Sequence, residues 1–383
     1  MMRPMKLAGS QLLFGEGCLD FLRQLSSKRA TIVIGGHSME KSGTLDTVVS
    51  LLKTAEAEIS IVKGVEPDPG FATVMRGAKE MSAFKPDTII ALGGGSVMDA
   101  AKAMWVFYEH PELTTLDDIM PPNEFPKLRG KAHFVCIPST AGTASEVSRS
   151  IVISDGNGMK HGIGNMEMMP DIAICDPAVT LSMPPSITAD TGMDALTHAL
   201  EALVSNRANY VSDILATQSA IDIITHLPQA CANGADIKER EIMLNASMVA
   251  GLAFTNVSLG IVHSMAHTVG SYFHVSHGLA DAIILPYIIE FNGNNNPRAK
   301  DIYTGFVQKL GKEGPLSHII RDLNKKLGIP ADLSAVITDR AGYLKQLDVM
   351  AACALADGCT KTNPVIPSID EIKKLFLAVF PGK

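Results

Sequence analysis

The sequence predicts an α/β domain with a largely parallel sheet, followed by an all-helical domain. Three observations carry that expectation. Short apolar runs rich in β-formers recur at 30–34, 59–62, 88–92, 133–137 and 172–174, and segments of helical character such as 43–58 and 71–84 lie between them. Alternation of this kind is the signature of βαβ units. From about residue 181 the texture changes to long stretches rich in Ala, Leu, Ile and Met, at 187–204, 210–225 and 237–257, with the length and spacing of helices. Between the two textures stands Pro184-Pro185, a pair that suits a boundary and a first helical turn but not a helix interior. We therefore expect one domain over 1–183 and a second over 184–383.

The 383 residues are enough for one large core or two separate ones, and 46% apolar against 19% charged residues is ordinary globular composition. A net charge of -7 lacks the basic excess of a surface built for nucleic acid or an anionic membrane, so neither is expected as a partner. The six cysteines form no CxxC pair and read as reduced thiols, which points to the cytoplasm. No stretch approaches 18 uninterrupted apolar residues. The run NGNNNP at 292–297 reads as a polar surface loop between two helices.

Three polar turns follow predicted strands. In TIIALGGGSVMDAAK, Gly93, Gly94, Gly95 and Ser96 stand between a strand and a helix that starts near Val97. Glycines there let backbone N–H groups approach an anion, and the helix N-terminus adds partial positive charge. A pyrophosphate seat and a purely structural tight turn are both compatible with that pattern. An earlier turn offers Gly35, Gly36, His37 and Ser38, with Lys41 nearby and Glu40 as its acid. Dinucleotide sites that take NAD commonly place an acid on the ribose hydroxyls, so this turn leaves room for NADP, while a solvated turn without a ligand would look the same. A third turn, IPSTAGTASEVS, gathers Ser139, Thr140, Thr143 and Ser145, which suits phosphate and ribose contacts at a strand's carboxyl end.

The helical half carries the histidines. His263, His267, His274 and His277 lie in GIVHSMAHTVGSYFHVSHG, and GMDALTHALEA places Asp194 and His198 four residues apart. On a helix that spacing puts both side chains on one face, where they can share an ion such as Fe(II) or Zn(II). A lone Asp/His pair is common by chance; a second dense histidine segment in the same half favours the metal. His263 and His267 are also four apart, and spacing does not decide whether both hold metal or one acts as an acid/base group on the substrate.

Taken together, GGGSVMDAAK, IPSTAGTASEV, PDIAICDP, TGMDALTHALEA, HSMAHTVG and SHGLADAIILPY resemble the iron-containing, or group III, alcohol dehydrogenases, near the branch of propanediol dehydrogenases and lactaldehyde reductases. The resemblance runs almost end to end. It implies that the first domain binds a dinucleotide and that the second is the metal-binding and catalytic one. It implies Asp194, His198, His263 and His277 as metal ligands and His267 as the catalytic group that relays a proton. For the cofactor it implies Gly93, Gly94, Gly95, Ser96 and Asp99, with Ser139, Thr140 and Thr143, Lys160 and Leu181; Gly36 and Ser38 belong to the turn that sets NAD against NADP. Ser150, Phe254 and Cys359 match positions of the substrate pocket. Many NAD-using relatives carry Asp where this chain has Gly36, which favours NADP or dual use, and Arg149 beside Ser150 is compatible with an anionic substrate or with an internal ion pair.

The implied activity is interconversion of a small primary alcohol or diol and its aldehyde by hydride transfer with NAD(P). The implied cofactors are a divalent metal, Fe(II) first with Zn(II) or another ion admitted, and NAD(P). The implied assembly is a homodimer or higher homo-oligomer. Two other classes remain at this point. A metal-dependent hydrolase or lyase uses the same Asp/His set but needs no glycine turns, and a dinucleotide sensor needs the turns but no metal. Within the same fold, a glycerol dehydrogenase-like enzyme or a reductase of an anionic semialdehyde is the nearest alternative.

Overall fold

The computed structural model describes residues 5–156 and 158–381. It divides into two compact units. One contains the chain up to Met183 together with Gly234–Met248; the other contains Pro184–Asn233 and the chain from Val249 onward.

The first unit is built on a six-stranded sheet of β1 (Gln11–Phe14), β2 (Arg29–Val33), β3 (Glu58–Val62), β4 (Thr88–Gly93), β5 (His133–Pro138) and β8 (Ile172–Cys175). The spatial order is β1-β8-β5-β4-β2-β3, and each neighbouring pair is parallel. Parallel strands need crossovers. Helices α1 (Ser38–Lys41) and α2 (Thr44–Thr54) lead from β2 to β3, α3 (Phe71–Phe84) leads from β3 to β4, and α4 (Gly95–Glu109) follows β4. Two further strands, β6 (Ser150–Ser154) and β7 (Lys160–Gly164), form a separate antiparallel pair.

Strand periodicity divides the core into two layers. In β4, Ile89 and Ala91 pack with Val74, Met81, Met104 and Trp105 of α3 and α4, whereas Ile90 and Leu92 pack with Val48, Leu51 and Leu52 of α2. A strand covered on both faces reads as a continuous apolar run, which is why TIIAL was conspicuous in the sequence. Trp105 is fully buried, stacks on Phe134 with ring centroids 5.0 Å apart, and donates its indole N–H to the Ala132 carbonyl. The sheet expected from the sequence is present, with β1 and the β6–β7 pair as additions.

Strand order reverses between β2 and β4. In open α/β sheets ligands bind at the carboxyl ends of the strands flanking such a switch point. The turns after β2 and β4 are the two glycine turns of the sequence, and the hydroxyl-rich turn follows β5, the other neighbour of β4.

The second unit is helical: α5 (Pro185–Val204), α6 (Tyr210–Ala232), α8 (Ile261–Phe273), α9 (His277–Asn295), α10 (Pro297–Lys309), α11 (Leu316–Lys326), α12 (Arg340–Ala356) and α13 (Ile369–Ala378), with α7 (Ile237–Val257) contributing its later residues. Pro185 occupies the first turn of α5, the position where a missing N–H costs nothing. The early part of α7 belongs to the first unit because the buried Arg240 guanidinium donates to the carbonyls of Gly234 and Met183. Among the described residues no single helix is long and apolar enough to cross a membrane.

The expected loop at 292–297 is not one. Helix α9 runs on to Asn295, Asn296 caps α10 by accepting from the Ala299 amide, and Pro297 starts that helix. Asn292 is buried and exchanges hydrogen bonds with Asn363. The polar run is helical because a distant asparagine satisfies it, which local composition does not reveal.

Candidate metal centre and dinucleotide cradle

Helices α5, α8 and α9 of the second unit bring the histidines and carboxylates together. α5 and α9 approach closely at Gly278: a Cβ there would lie 2.1 Å from the Asp190 carbonyl oxygen, so only glycine permits that contact. One turn along from this crossing, Asp194 is 3% exposed, and its Oδ1 lies 3.5 Å from His198 Nε2, 3.6 Å from His263 Nε2 and 3.8 Å from His277 Nε2. The three histidines implied as ligands thus surround one oxygen of the fourth, Asp194. One donor atom from each of Asp194, His263, His277 and Asp281 lies within 4.8 Å of the others. Asp281 was not singled out by the sequence reading, although it stands four residues after His277, the same helical spacing that marked Asp194 and His198.

The donor set suits a divalent cation. Asp194 Oδ1 and His263 Nε2 are buried without a hydrogen-bond partner, an arrangement that costs free energy unless something else engages those atoms. The orientation of His263 is set by Glu201, whose Oε2 accepts from His263 Nδ1 at 2.6 Å and from the Gly260 amide at 2.8 Å, while Oε1 accepts from the Val262 amide at 2.7 Å. A carboxylate on Nδ1 leaves the Nε2 lone pair facing the cluster, as in carboxylate–histidine–metal triads. Glu201 lies seven residues after Asp194 on α5 and shares its face with His198, an i, i+4, i+7 stripe that is legible in the sequence.

Titration within the cluster follows from this packing. Burial pushes the Asp194 carboxyl up, but the imidazoles of His198, His263 and His277 outweigh that and hold it well below the usual carboxylate range. Burial, together with the neighbouring imidazoles, holds His277 well below its ordinary value, so it keeps a lone pair. Burial also pushes the Cys359 thiol well above its ordinary value, which makes it a neutral neighbour and not a thiolate.

His267 occupies a different place. Its ring stacks on His277 with centroids 5.1 Å apart, and its Nδ1 is 2.8 Å from Asp357 Oδ2. Burial would raise Asp357, but the hydrogen bond and charge of His267 pull it well below the usual range. Asp357 orients His267 and lies 90 residues away in sequence, so no local pattern pointed to it. Phe254 stacks on the His198 ring with centroids 4.4 Å apart, and the Cys359 amide donates to Asp357. His274 ends α8 with a left-handed backbone and is exposed.

In the first unit, α4 begins at Gly95 after the N-cap Gly94, with no side chain capping it, so its amide dipoles face the turn uncompensated. A Cβ on Gly95 would sit 2.5 Å from Thr143 Cγ2, and one on Gly94 would sit 3.3 Å from Thr140 Cγ2. The glycine turn and the hydroxyl turn therefore face each other across a gap that side chains would close, which suits the pyrophosphate of a dinucleotide. Ser139 is buried, and Thr140 and Thr143 are half-buried. Ser96 Oγ accepts from the Asp68 amide, and Lys160 Nζ pairs with Asp68 at 2.7 Å, which brings Lys160 to the same turn. Asp99 has no free oxygen: Oδ1 accepts from Ser145 and Oδ2 from the Val152 amide, so it braces the turn. Gly36 has nothing within 4 Å of a Cβ position, and Ser38 and Leu181 are exposed. Ser150 opens β6, its carbonyl accepting from the buried Lys102.

Comparison with known proteins adds an independent finding. Residues 9–177 match a family model described as iron-containing alcohol dehydrogenase, and residues 188–380 match the C-terminal model of the Fe-containing alcohol dehydrogenase family. The chain is 42% identical over 380 residues to an NADPH-dependent butanol dehydrogenase of Clostridium saccharobutylicum, covering 97% of this chain and 96% of that one. Among solved structures it resembles an iron-containing alcohol dehydrogenase from Thermococcus thioreducens, with a TM-score of 0.92, 32% identity and full coverage of both chains. It also resembles a 1,3-propanediol oxidoreductase, with a TM-score of 0.91 and 31% identity over 99% of this chain and 100% of that one.

Proposed function

The chain belongs to the iron-containing alcohol dehydrogenase family and interconverts an alcohol and its aldehyde with NAD(P), and from that premise we propose that its substrates are short aliphatic primary alcohols or diols and the corresponding aldehydes, with NADPH accepted. The observation that carries the reading is the convergence of three imidazole nitrogens on Asp194 Oδ1 at 3.5, 3.6 and 3.8 Å. The hydrolase or lyase reading gives way, because the family assignment and the turns at the sheet's switch point both call for a dinucleotide.

When bound, a divalent cation acts as a Lewis acid on the substrate oxygen and the nicotinamide exchanges hydride with the carbon that bears it. Asp194, His198, His263 and His277 would hold the cation, with Glu201 keeping His263 in the tautomer that presents Nε2. Gly93, Gly94, Gly95 and the α4 N-terminus would receive the pyrophosphate, with Thr140 and Thr143 opposite, while Asp99 fixes the turn from below. His267, held through Nδ1 by Asp357, is the group that carries the alcohol proton from Nε2 towards solvent. Phe254, against His198, and Cys359, as a neutral thiol, give the substrate apolar surroundings suited to an alkyl chain.

NADPH acceptance rests on the Gly36 turn. Open space around that residue leaves room for a 2′-phosphate where an acidic side chain would repel it. The butanol dehydrogenase relative, described as NADPH-dependent, supports the same choice. A cytoplasmic location and a homo-oligomeric state complete the reading.

The test is the oxidation of NADPH and of NADH with a panel of short aldehydes and semialdehydes, using chelated protein reloaded with Fe(II) or Zn(II). Metal-dependent turnover of unbranched aldehydes with NADPH supports the reading. Turnover confined to NADH, or to anionic semialdehydes, overturns the cofactor or the substrate assignment respectively.

A further inference from the structure

We propose that Asp281 is itself a metal ligand, so that this chain's centre is built from two carboxylates together with its imidazoles. The inference rests on the ligand set proposed above and extends it. Helix α5 delivers Asp194 and His198 at i, i+4, and α9 delivers His277 and Asp281 at the same spacing in the opposite order. Each helix thus presents one carboxylate and one imidazole on a single face. Asp281 is fully buried, and both of its oxygens lack a hydrogen-bond partner. Its Oδ2 lies 3.2 Å from His277 Nε2 and 3.9 Å from His263 Nε2. Metal–ligand bonds of about 2.0–2.2 Å place two donors of one ion no more than about 4.4 Å apart, and both separations fall inside that reach.

A structural role explains these observations less well. A buried carboxylate without hydrogen bonds is destabilising, and one beside Asp194 has to be neutralised, by a proton or by a cation that both carboxylates share; the imidazole nitrogens of His277 and His263 within reach of Oδ2 favour the cation. Two carboxylates balance the charge of a divalent ion, whereas one leaves it half-compensated. A further oxygen donor also shifts the site towards harder ions such as Fe(II) and Mn(II), relative to a set dominated by imidazole.

The experiment uses the full chain stripped with a chelator and reloaded with Fe(II) or Co(II). Asp281→Asn keeps the shape and removes the charge. Affinity is read by competition with a chromophoric chelator, and coordination by the visible absorption of the Co(II)-loaded protein. The proposal expects affinity to fall by more than about 100-fold, beyond the 10–100-fold typical of residues that only support a ligand, together with altered Co(II) bands. Co(II) bands superimposable on those of the unsubstituted protein overturn it. Asp281→Ser serves the same purpose if the Asn variant does not fold, as judged by circular dichroism of the metal-free protein. His263→Ala separates the two levels of the argument. If that variant keeps full metal affinity, the proposed centre itself is wrong; if it loses metal while Asp281→Asn does not, only the role of Asp281 falls.

Discussion

Glu201→Gln is the sharpest single perturbation of the centre, because the carboxylate serves three donors at once. Oε1 accepts from the Val262 amide, and Oε2 from the Gly260 amide and His263 Nδ1. A glutamine has one acceptor oxygen. If it replaces Oε2, the side-chain NH2 faces the Val262 N–H and one buried hydrogen bond becomes a donor–donor contact. If it replaces Oε1, the NH2 faces His263 Nδ1, which must then accept, moving the imidazole proton to Nε2 where it blocks coordination. The first arrangement costs about 1–3 kcal/mol for the unsatisfied donor, and it also removes the negative charge that strengthens His263 as a ligand. We expect metal affinity to drop about 10–100-fold and the metal-free protein to lose roughly 1–3 kcal/mol of stability. Chelator competition measures the first and urea unfolding the second. Unchanged metal affinity in a variant that shows the stability loss would refute the view that Glu201 sets the His263 tautomer.

Three further expectations follow from single residues. Glu146 is buried, and burial raises its carboxyl to about 7 from an ordinary 4.5; the folded state therefore holds a proton that the unfolded state has released between those values, and stability falls by about 3 kcal/mol as pH rises through that window. Glu146→Gln should flatten the fall, leaving stability near pH 4.5 little changed and raising it above pH 7, as read by urea unfolding across pH. Gly95→Ala forces Thr143 away from a Cβ that would lie 2.5 Å from it; an overpacking cost of about 1–3 kcal/mol should weaken NADPH binding about tenfold or more with metal content unchanged, measurable by cofactor fluorescence. Asp357→Asn removes the anionic partner of His267 Nδ1 and should lower kcat by at least about tenfold and alter its pH profile while the metal stays bound; loss of metal in that variant would make His267 a ligand.

Much of the first unit was readable because β4 is a nearly continuous apolar run and helix-length segments separate β2, β3 and β4 and follow β4. β1 escaped notice because four residues at a sheet edge, with Phe14 exposed, leave little pattern. The β6–β7 pair was hidden by its shortness and by the Ser150 and Ser154 ends of SIVIS, which resemble loop. In the second unit, helix lengths were legible, but the boundary drawn at Pro184 carries no sign that Arg240 would tie residues 234–248 to Met183. The centre followed the same division. Asp194 and His198 declare themselves by spacing, and Asp281 and Glu201 obey that same helical rule without having been read by it. Asp357 reaches His267 only through the tertiary fold, which no periodicity encodes.

In the proposed mechanism, alcohol–aldehyde chemistry depends on a cation held by the second unit and a dinucleotide held by the first. The most direct measurement is NADPH-linked turnover of a short aldehyde as a function of bound metal per protomer, across a chelator titration and reloading with Fe(II). Turnover should fall in proportion to metal content, vanish in metal-free protein that still binds NADPH, and return on reloading. Undiminished turnover in protein shown to be metal-free would contradict that mechanism.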